Sequence, residues 1–394
     1  MMNNNQQPSR PNRGAHQPNP TRTYSQTRRP TRMSKAEIAR RQFIAKCIIA
    51  VCMTLVLGGG VFLLFRSGLF SKSSSKKETT ITTTAGTVVT TAATSASDVT
   101  SGTTALPEDL TGYTVILDPG HGGWDRGTSY PYNSDQNEEP TITIKIAHML
   151  KDELESRGAT VYLTREEDNY YSLYYRCAEV HLICMDIAKE KGILPFSAER
   201  EQELRASLQK IKEVNDNSYD KGGMGLMAGT GVGSDLKELF EMEYQLPDVV
   251  FISIHLNAHY DETTFEPVNH HGIEVTYVTD DAVNEYESKP KNQTAGAPVR
   301  DAYHGRPNEH NLLYAQTLYD AIVAGTPDLK SNMDKPVYTA NWAVIRKVGL
   351  VGTLLEFGFI SHETDRAILQ DEAQMRVVCA SVADGLEEYF KQIR

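Results

Sequence analysis

Three residues of the types that hold divalent metals stand far apart in this 394-residue chain: His121, Glu139 and His255. Two imidazoles and one carboxylate, with a fourth position left to water, are the donor set of a catalytic zinc site. His121 follows the apolar run TVIL at 114–117, which breaks abruptly into DPGHGG. Such a break marks a loop at the end of a buried strand, where a histidine serves either as a hydrogen-bond anchor or as a ligand. His255 closes a second apolar run, VVFISIHL at 249–256, before Asn257 and Ala258 open another loop. Glu139 precedes Pro140, a good first residue for a helix. Glu356 lies inside GTLLEFGF at 352–359, a costly place for a charge. Two readings stay open for it: a general base beside a metal-bound water, or a buried salt bridge to a residue such as Arg346.

These side chains meet only if strands bring them together. Strand-like runs occur at 113–118, 159–164, 249–256, 272–278 and 352–357. Between the first two, Ile142, Ile146, Met149, Leu150 and Leu154 recur at helical spacing, and Arg157-Gly158 stops the helix. A strand, helix, strand unit of this kind predicts parallel pairing, and the ends of parallel strands share one edge of a sheet. His121 and His255 are therefore expected to meet. Further helices are predicted at about 173–191, 310–324 and 366–392. Residues 195–247 break the rhythm with a charged helical run (199–214), the glycine-rich KGGMGLMAGTGVG (221–233) and an acidic helical run (234–243). No strand precedes those glycines and no Lys-Ser/Thr follows them, so they are not a phosphate loop. An inserted helical lobe with a flexible hinge is the expectation. The fold class is α/β, a mostly parallel central sheet flanked by helices.

Charge divides the chain. Residues 1–107 carry 14 Lys+Arg against 3 Asp+Glu, and residues 108–394 carry 26 against 48. So acidic a body argues against nucleic acid as its partner. Residues 1–46 hold ten basic residues and only Glu37 acidic, with no apolar period, as in a disordered basic tail. Cys47 to Phe65 is uncharged, and 19 residues of helix span roughly 28 Å, about a bilayer core. The basic flank places the tail in the cytoplasm and the rest outside the cell, as a signal-anchor. Residues 71–106 contain 19 Ser or Thr and no aromatic residue, so 66–107 reads as a linker. Cys177, Cys184 and Cys379 make no CxxC pair and read as small buried hydrophobes.

DPGHGG at 118–123, an acidic residue before a helix ending in RGATVYLTR, SIHLNA at 253–258 and LEFGFIS at 355–361 occur in that order. Together they resemble the zinc-dependent N-acetylmuramoyl-L-alanine amidases of the amidase-3 family, cell-wall hydrolases with a phosphorylase/hydrolase-like sheet. The resemblance covers most of 113–390. It implies His121, Glu139 and His255 as zinc ligands, Glu356 as the catalytic glutamate, and Asn257 and Arg346 as cleft residues. Glu138 is adjacent to Glu139, and Pro140-Thr141 replaces the family's usual Lys-Asp, but spacing back from Ala147 and Leu150 favours Glu139. His362 stands where the family usually has Asn. Some members carry an inserted helix that covers the metal until an activator protein displaces it. Here that lid would reach the metal through Glu238, Glu241 or Glu243; a packing elaboration or wall-contact lobe is the alternative. His259, His270 and His271 read as exposed loop residues, and His16, His148, His181, His304 and His310 receive no role.

The implied protein is a membrane-anchored peptidoglycan amidase of a single-membrane bacterium. It would cut the bond between N-acetylmuramic acid and L-alanine. A zinc peptidase acting within the stem, or a silent wall-binding module, are the alternatives.

Overall fold

A computed structural model of the chain describes residues 110–218, 225–289 and 299–394. The expected basic tail (1–46), membrane span (47–65) and linker (66–107) lie outside the described residues, as does part of the glycine-rich stretch. Among the described residues no helix is long and apolar enough to cross a membrane.

Six strands form one sheet in the order β2-β1-β3-β6-β4-β5. They are β1 (Thr114–Pro119), β2 (Thr160–Leu163), β3 (Val249–Asn257), β4 (Glu274–Tyr277), β5 (Val337–Thr339) and β6 (Val351–Phe359). β1, β2, β3 and β6 run parallel, and β4 pairs antiparallel with β6. The sheet is thus mostly parallel, as the sequence pattern predicts. β5 escapes that pattern because it has three residues, none of them buried.

Nine helices of the described residues connect or flank the strands: α1 (Glu139–Ser156), α2 (Leu173–Glu190), α3 (Ala198–Val214), α4 (Ser234–Glu243), α5 (Asp280–Glu287), α6 (Asn308–Gly325), α7 (Ala343–Arg346), α8 (Glu363–Gln370) and α9 (Glu372–Ile393). The single helix expected over 366–392 is two, because Asp371 interrupts it. Its side chain accepts from Ala373 N and Gln374 N and caps the start of α9.

Strand alternation divides the core into two layers. Val115, Leu117, Val250, Ile252, Ile254, Leu355 and Phe357 face α1, α6 and α9. Ile116, Val249, Phe251 and Leu354 face the layer that contains α2, α3 and α4. Leu204, Leu208 and Ile211 of α3 and Leu236, Leu239 and Phe240 of α4 are fully buried there. The inserted segment is helical, but it forms part of the core rather than a detached lobe. Nor is the described end of its glycine-rich stretch a free hinge. The fully buried Lys347 donates to the carbonyls of Gly229 and Gly231 at 3.1 and 2.9 Å, and Arg300 to that of Ala228 at 2.8 Å. The buried thiols act as apolar packing, with burial pushing Cys177 and Cys379 up to about 12.

At the end of β1, Asp118 is fully buried and pairs with the buried Arg176 of α2. Hydroxyls of Thr164 and Ser253 donate to it at 2.5 and 2.8 Å. Burial opposes its ionisation, yet Arg176 and these donors hold its pKa below the usual value. Asp118→Asn would leave Arg176 buried without a counter-charge and should lower stability by about 3–5 kcal/mol, read by denaturant unfolding. Because the folded pKa is the lower one, the stabilisation is complete at neutral pH. It should fade as pH falls below about 4.

Candidate metal centre

The site forms where strands of one parallel set end. Asp118 lies opposite Ser253 and Pro119 opposite Ile254 across β1 and β3, while His255 lies opposite Glu356 across β3 and β6. A register shift between His255 and Asn257 bends the end of β3, a common device for aiming a side chain. The loop after β1 carries His121 at φ 62, an uncommon conformation for a residue with a side chain. Arg165 holds that loop down. Its buried guanidinium donates to the carbonyls of Pro119, Gly120 and Pro140, at 3.3, 3.1 and 3.3 Å. The loop of β1 is thereby tied to the start of α1.

Glu139, the first residue of α1, is buried between the two histidines. Its Oε1 lies 2.9 Å from His255 Nδ1 and accepts Leu256 N at 3.0 Å. Its Oε2 lies 3.2 Å from His121 Nε2 and accepts Thr128 N at 2.8 Å. Each oxygen thus meets one imidazole and one backbone N–H. The adjacent Glu138 is engaged elsewhere, by Arg126. Two glycines make room for the cluster. A Cβ on Gly127, at φ 55, would overlap Glu139 Oε2 and lie 2.7 Å from His121 Cδ2; one on Gly120 would lie 2.7 Å from His255 Nδ1.

His121, Glu139 and His255 are the described residues whose potential ligand atoms converge, all within 4.8 Å of one another. Donors around a tetrahedral zinc sit about 3.3 Å apart, given bonds of roughly 2.0–2.2 Å, so this set fits the ion with small adjustments. Asp125 Oδ1 stands 3.0 Å from His121 Nδ1, the place of the outer carboxylate that would orient a histidine acting as a ligand. Burial alone would depress the pKa of His121. Asp125 and Glu139, one at each ring nitrogen, instead raise it to about 10. Glu139 is held below its ordinary value against the effect of burial, by His121 and His255.

Glu356 is set apart by what it lacks: its Oε2 is buried and has no hydrogen-bond partner. Burial, then the neighbouring charges of Glu139 and Glu274, push its pKa well above the ordinary range, with His121 opposing. The salt bridge to Arg346 does not form. Arg346 is buried against Glu287 of α5 at 3.1 Å and donates to Asn341 O. The cleft position implied for Arg346 is thus taken up by contacts with α5.

Glu274 was missed in the sequence, where it reads as one charge in a short strand. It lies opposite Glu356 in the β4–β6 register and is buried. Tyr338 and Asn257 donate to its Oε2 at 3.1 and 3.3 Å. Burial raises its pKa in spite of these donors. Asn257 is therefore at the site, joined to Glu274.

The lid carboxylates are elsewhere. Glu238 pairs with Arg200 at 2.9 Å, Glu241 approaches Lys237 at 3.8 Å, and the buried Glu243 pairs with His181 and accepts Gly349 N at 2.6 Å. None is brought to the histidines, because the apolar faces of α3 and α4 fix the segment in the core. Of the remaining histidines, His259 and His270 contact each other at 2.9 Å and His271 stacks on His362.

A profile for N-acetylmuramoyl-L-alanine amidases matches residues 115–187 and 202–388. The chain belongs to the amidase-3 family. It is similar to a probable cell wall amidase LytH of Staphylococcus aureus, 42% identical over 293 residues, which covers 74% of this chain and 64% of the relative. A LytH of Staphylococcus epidermidis is 26% identical over 281 residues, covering 71% and 60%. The chain thus spans less than two thirds of the length of these relatives. Among solved structures, an N-acetylmuramoyl-L-alanine amidase from Clostridium difficile 630 is 19% identical with a TM-score of 0.41, covering 71% of this chain and 97% of that one.

A zinc ion entering this site would have to displace the proton that Asp125 and Glu139 favour on His121. Apparent zinc affinity should rise about tenfold per pH unit around neutrality, measured by chelator competition near pH 7 and near pH 8. A flat profile would show that His121 binds no proton there. Gly127→Ala should lower the zinc affinity at least tenfold, read in the same assay, because the added methyl displaces Glu139.

Proposed function

We propose that this chain is a membrane-anchored, zinc-dependent N-acetylmuramoyl-L-alanine amidase. It would hydrolyse the amide between the lactyl group of N-acetylmuramic acid and L-alanine of the peptidoglycan stem. One observation carries the reading: two imidazoles and a buried carboxylate converge beside Glu356, whose Oε2 is unpartnered, in a chain of this family.

His121, Glu139 and His255 would hold the zinc, which when bound supplies a Lewis acid for the amide carbonyl and a more acidic water. Asp125 keeps the His121 ring in orientation, and Thr128 N and Leu256 N fix the Glu139 carboxylate. Glu356 acts as general base: its Oε2 takes a proton from the attacking water and returns it to the alanine nitrogen as the C–N bond breaks. Burial and two neighbouring carboxylates disfavour its ionised form, so Glu356 becomes a base only when positive charge stands beside it. Glu274, fixed by Tyr338 and Asn257, holds its own carboxylate opposite that base. The charge asymmetry of the sequence supports the topology. The basic segment 1–46 would lie in the cytoplasm, 47–65 in the membrane, and 108–394 outside on a Ser/Thr-rich linker.

The test uses the full-length, zinc-loaded protein and purified peptidoglycan. New L-alanine N-termini should appear, and Glu356→Gln should slow their release by about 10²–10⁴-fold while zinc content is kept. New N-termini from within the stem would instead establish a peptidase. Zinc-loaded protein that binds peptidoglycan without cleaving it would establish a wall-binding module.

A further inference from the structure

One side chain of the metal-binding loop has no use in the chemistry above. The chain has two tryptophans, and indoles are on average well buried. Trp124 stands three residues after His121 and is 72% exposed. It is nonetheless firmly placed. Gly122 and Asp125 exchange both backbone hydrogen bonds, at 3.0 and 3.1 Å, so Gly123 and Trp124 form the tip of a two-residue hairpin. Gly123 N donates to Asp168 Oδ1 at 2.9 Å. Asp125, at the base of the hairpin, is the residue that contacts His121 Nδ1.

Tyr170 backs the indole, with ring centroids 4.2 Å apart. The inserted segment holds Tyr170 in turn. Asn215, which ends α3 in the left-handed conformation, donates through Nδ2 to Tyr170 O at 3.3 Å, and Asn217 donates to the Tyr170 hydroxyl at 3.3 Å. The side-chain oxygens of the same two asparagines accept Ser172 N and Leu173 N, at 2.7 and 2.6 Å. The helix inserted between β2 and β3 thus ends on the loop that supports Trp124.

An indole held on a fixed hairpin tip and backed by Tyr170 is a stacking surface whose ordering cost is already met in the free protein. The platform is one ring wide and continuous with the loop that carries His121. The half-exposed carboxylate of Asp168, which accepts Gly123 N at the hairpin tip, belongs to the same loop cluster. A pyranose matches this set, with an apolar C–H face to lie on the indole and hydroxyl or acetamido groups at its rim for the carboxylate. We propose that Trp124, backed by Tyr170, is a saccharide platform that takes a sugar ring of the glycan strand on the sugar side of the scissile amide. This rests on the amidase reading, in which a sugar ring must lie to one side of the reacting carbonyl.

The full-length, zinc-loaded protein tests it in two ways. The first is titration with a peptide-free β-1,4-linked N-acetylglucosamine tetramer, followed by calorimetry. The second compares cleavage of a disaccharide-bearing muropeptide with that of a lactyl-peptide lacking sugar. Trp124→Ala should weaken tetramer binding about tenfold and raise KM for the muropeptide by a similar factor, leaving its kcat little altered. Trp124→Tyr, which keeps a stacking face, should restore most of both. The platform is overturned if the wild type does not bind the tetramer, or if Trp124→Ala binds it as the wild type does. If neither substrate is cleaved yet tetramer binding still depends on Trp124, the amidase reading fails and the platform stands. Cleavage of both substrates with no preference altered by Trp124→Ala has the reverse meaning.

Discussion

A carboxylate buried between two imidazoles is tolerable only when every lone pair it presents is met, and Glu139 is built to that requirement. Thr128 N and His121 meet one oxygen, Leu256 N and His255 the other. These four partners come from the loop after β1 and the end of β3, so the acceptor fixes two strand ends relative to the first turn of α1. Much of the local architecture serves this arrangement. Gly120 and Gly127 leave space for the rings and the carboxylate, and Arg165 collects the carbonyls of Pro119, Gly120 and Pro140. Loss of any one of these would move a donor relative to the others.

Behind that edge, the ionisable groups are treated in two opposite ways. Asp118 and Arg176 are buried as an ion pair whose carboxylate also accepts from Thr164 and Ser253, and their role is to hold β1 against α2 and β3. Glu356 is buried without such a partner, next to Glu139 and Glu274. The first arrangement favours the ion and is structural; the second disfavours it and leaves a carboxyl group ready to exchange a proton when the charge beside it changes. Both sit on the same face of the sheet, on β1 and β6 to either side of β3, so environment rather than residue type separates the roles.

The insertion between β2 and β3 changes meaning once its packing is known. Its charged composition and glycines suggest a mobile cover, but Leu204, Leu208, Ile211, Leu236, Leu239 and Phe240 bury an apolar stripe against α2 and the sheet. Its acidic residues then fall to Arg200, Lys237 and His181. Helical periodicity predicts a buried stripe; it does not predict which surface buries it.

Local pattern by itself determined the strands that carry the site, the helix start at Glu139, and the four residues His121, Glu139, His255 and Glu356 as a candidate set. Apolar runs that end in Pro-Gly or at a loop, and an acid inside a strand, are legible because burial constrains consecutive residues. Only the tertiary structure engaged Glu138 with Arg126, assigned Arg346 to Glu287 rather than to Glu356, revealed Glu274, and removed Glu238, Glu241 and Glu243 from the metal group. Most of those outcomes depend on pairing between segments tens of residues apart. A carboxylate's partner is chosen by strand register and helix packing, and one sequence carries no direct record of either.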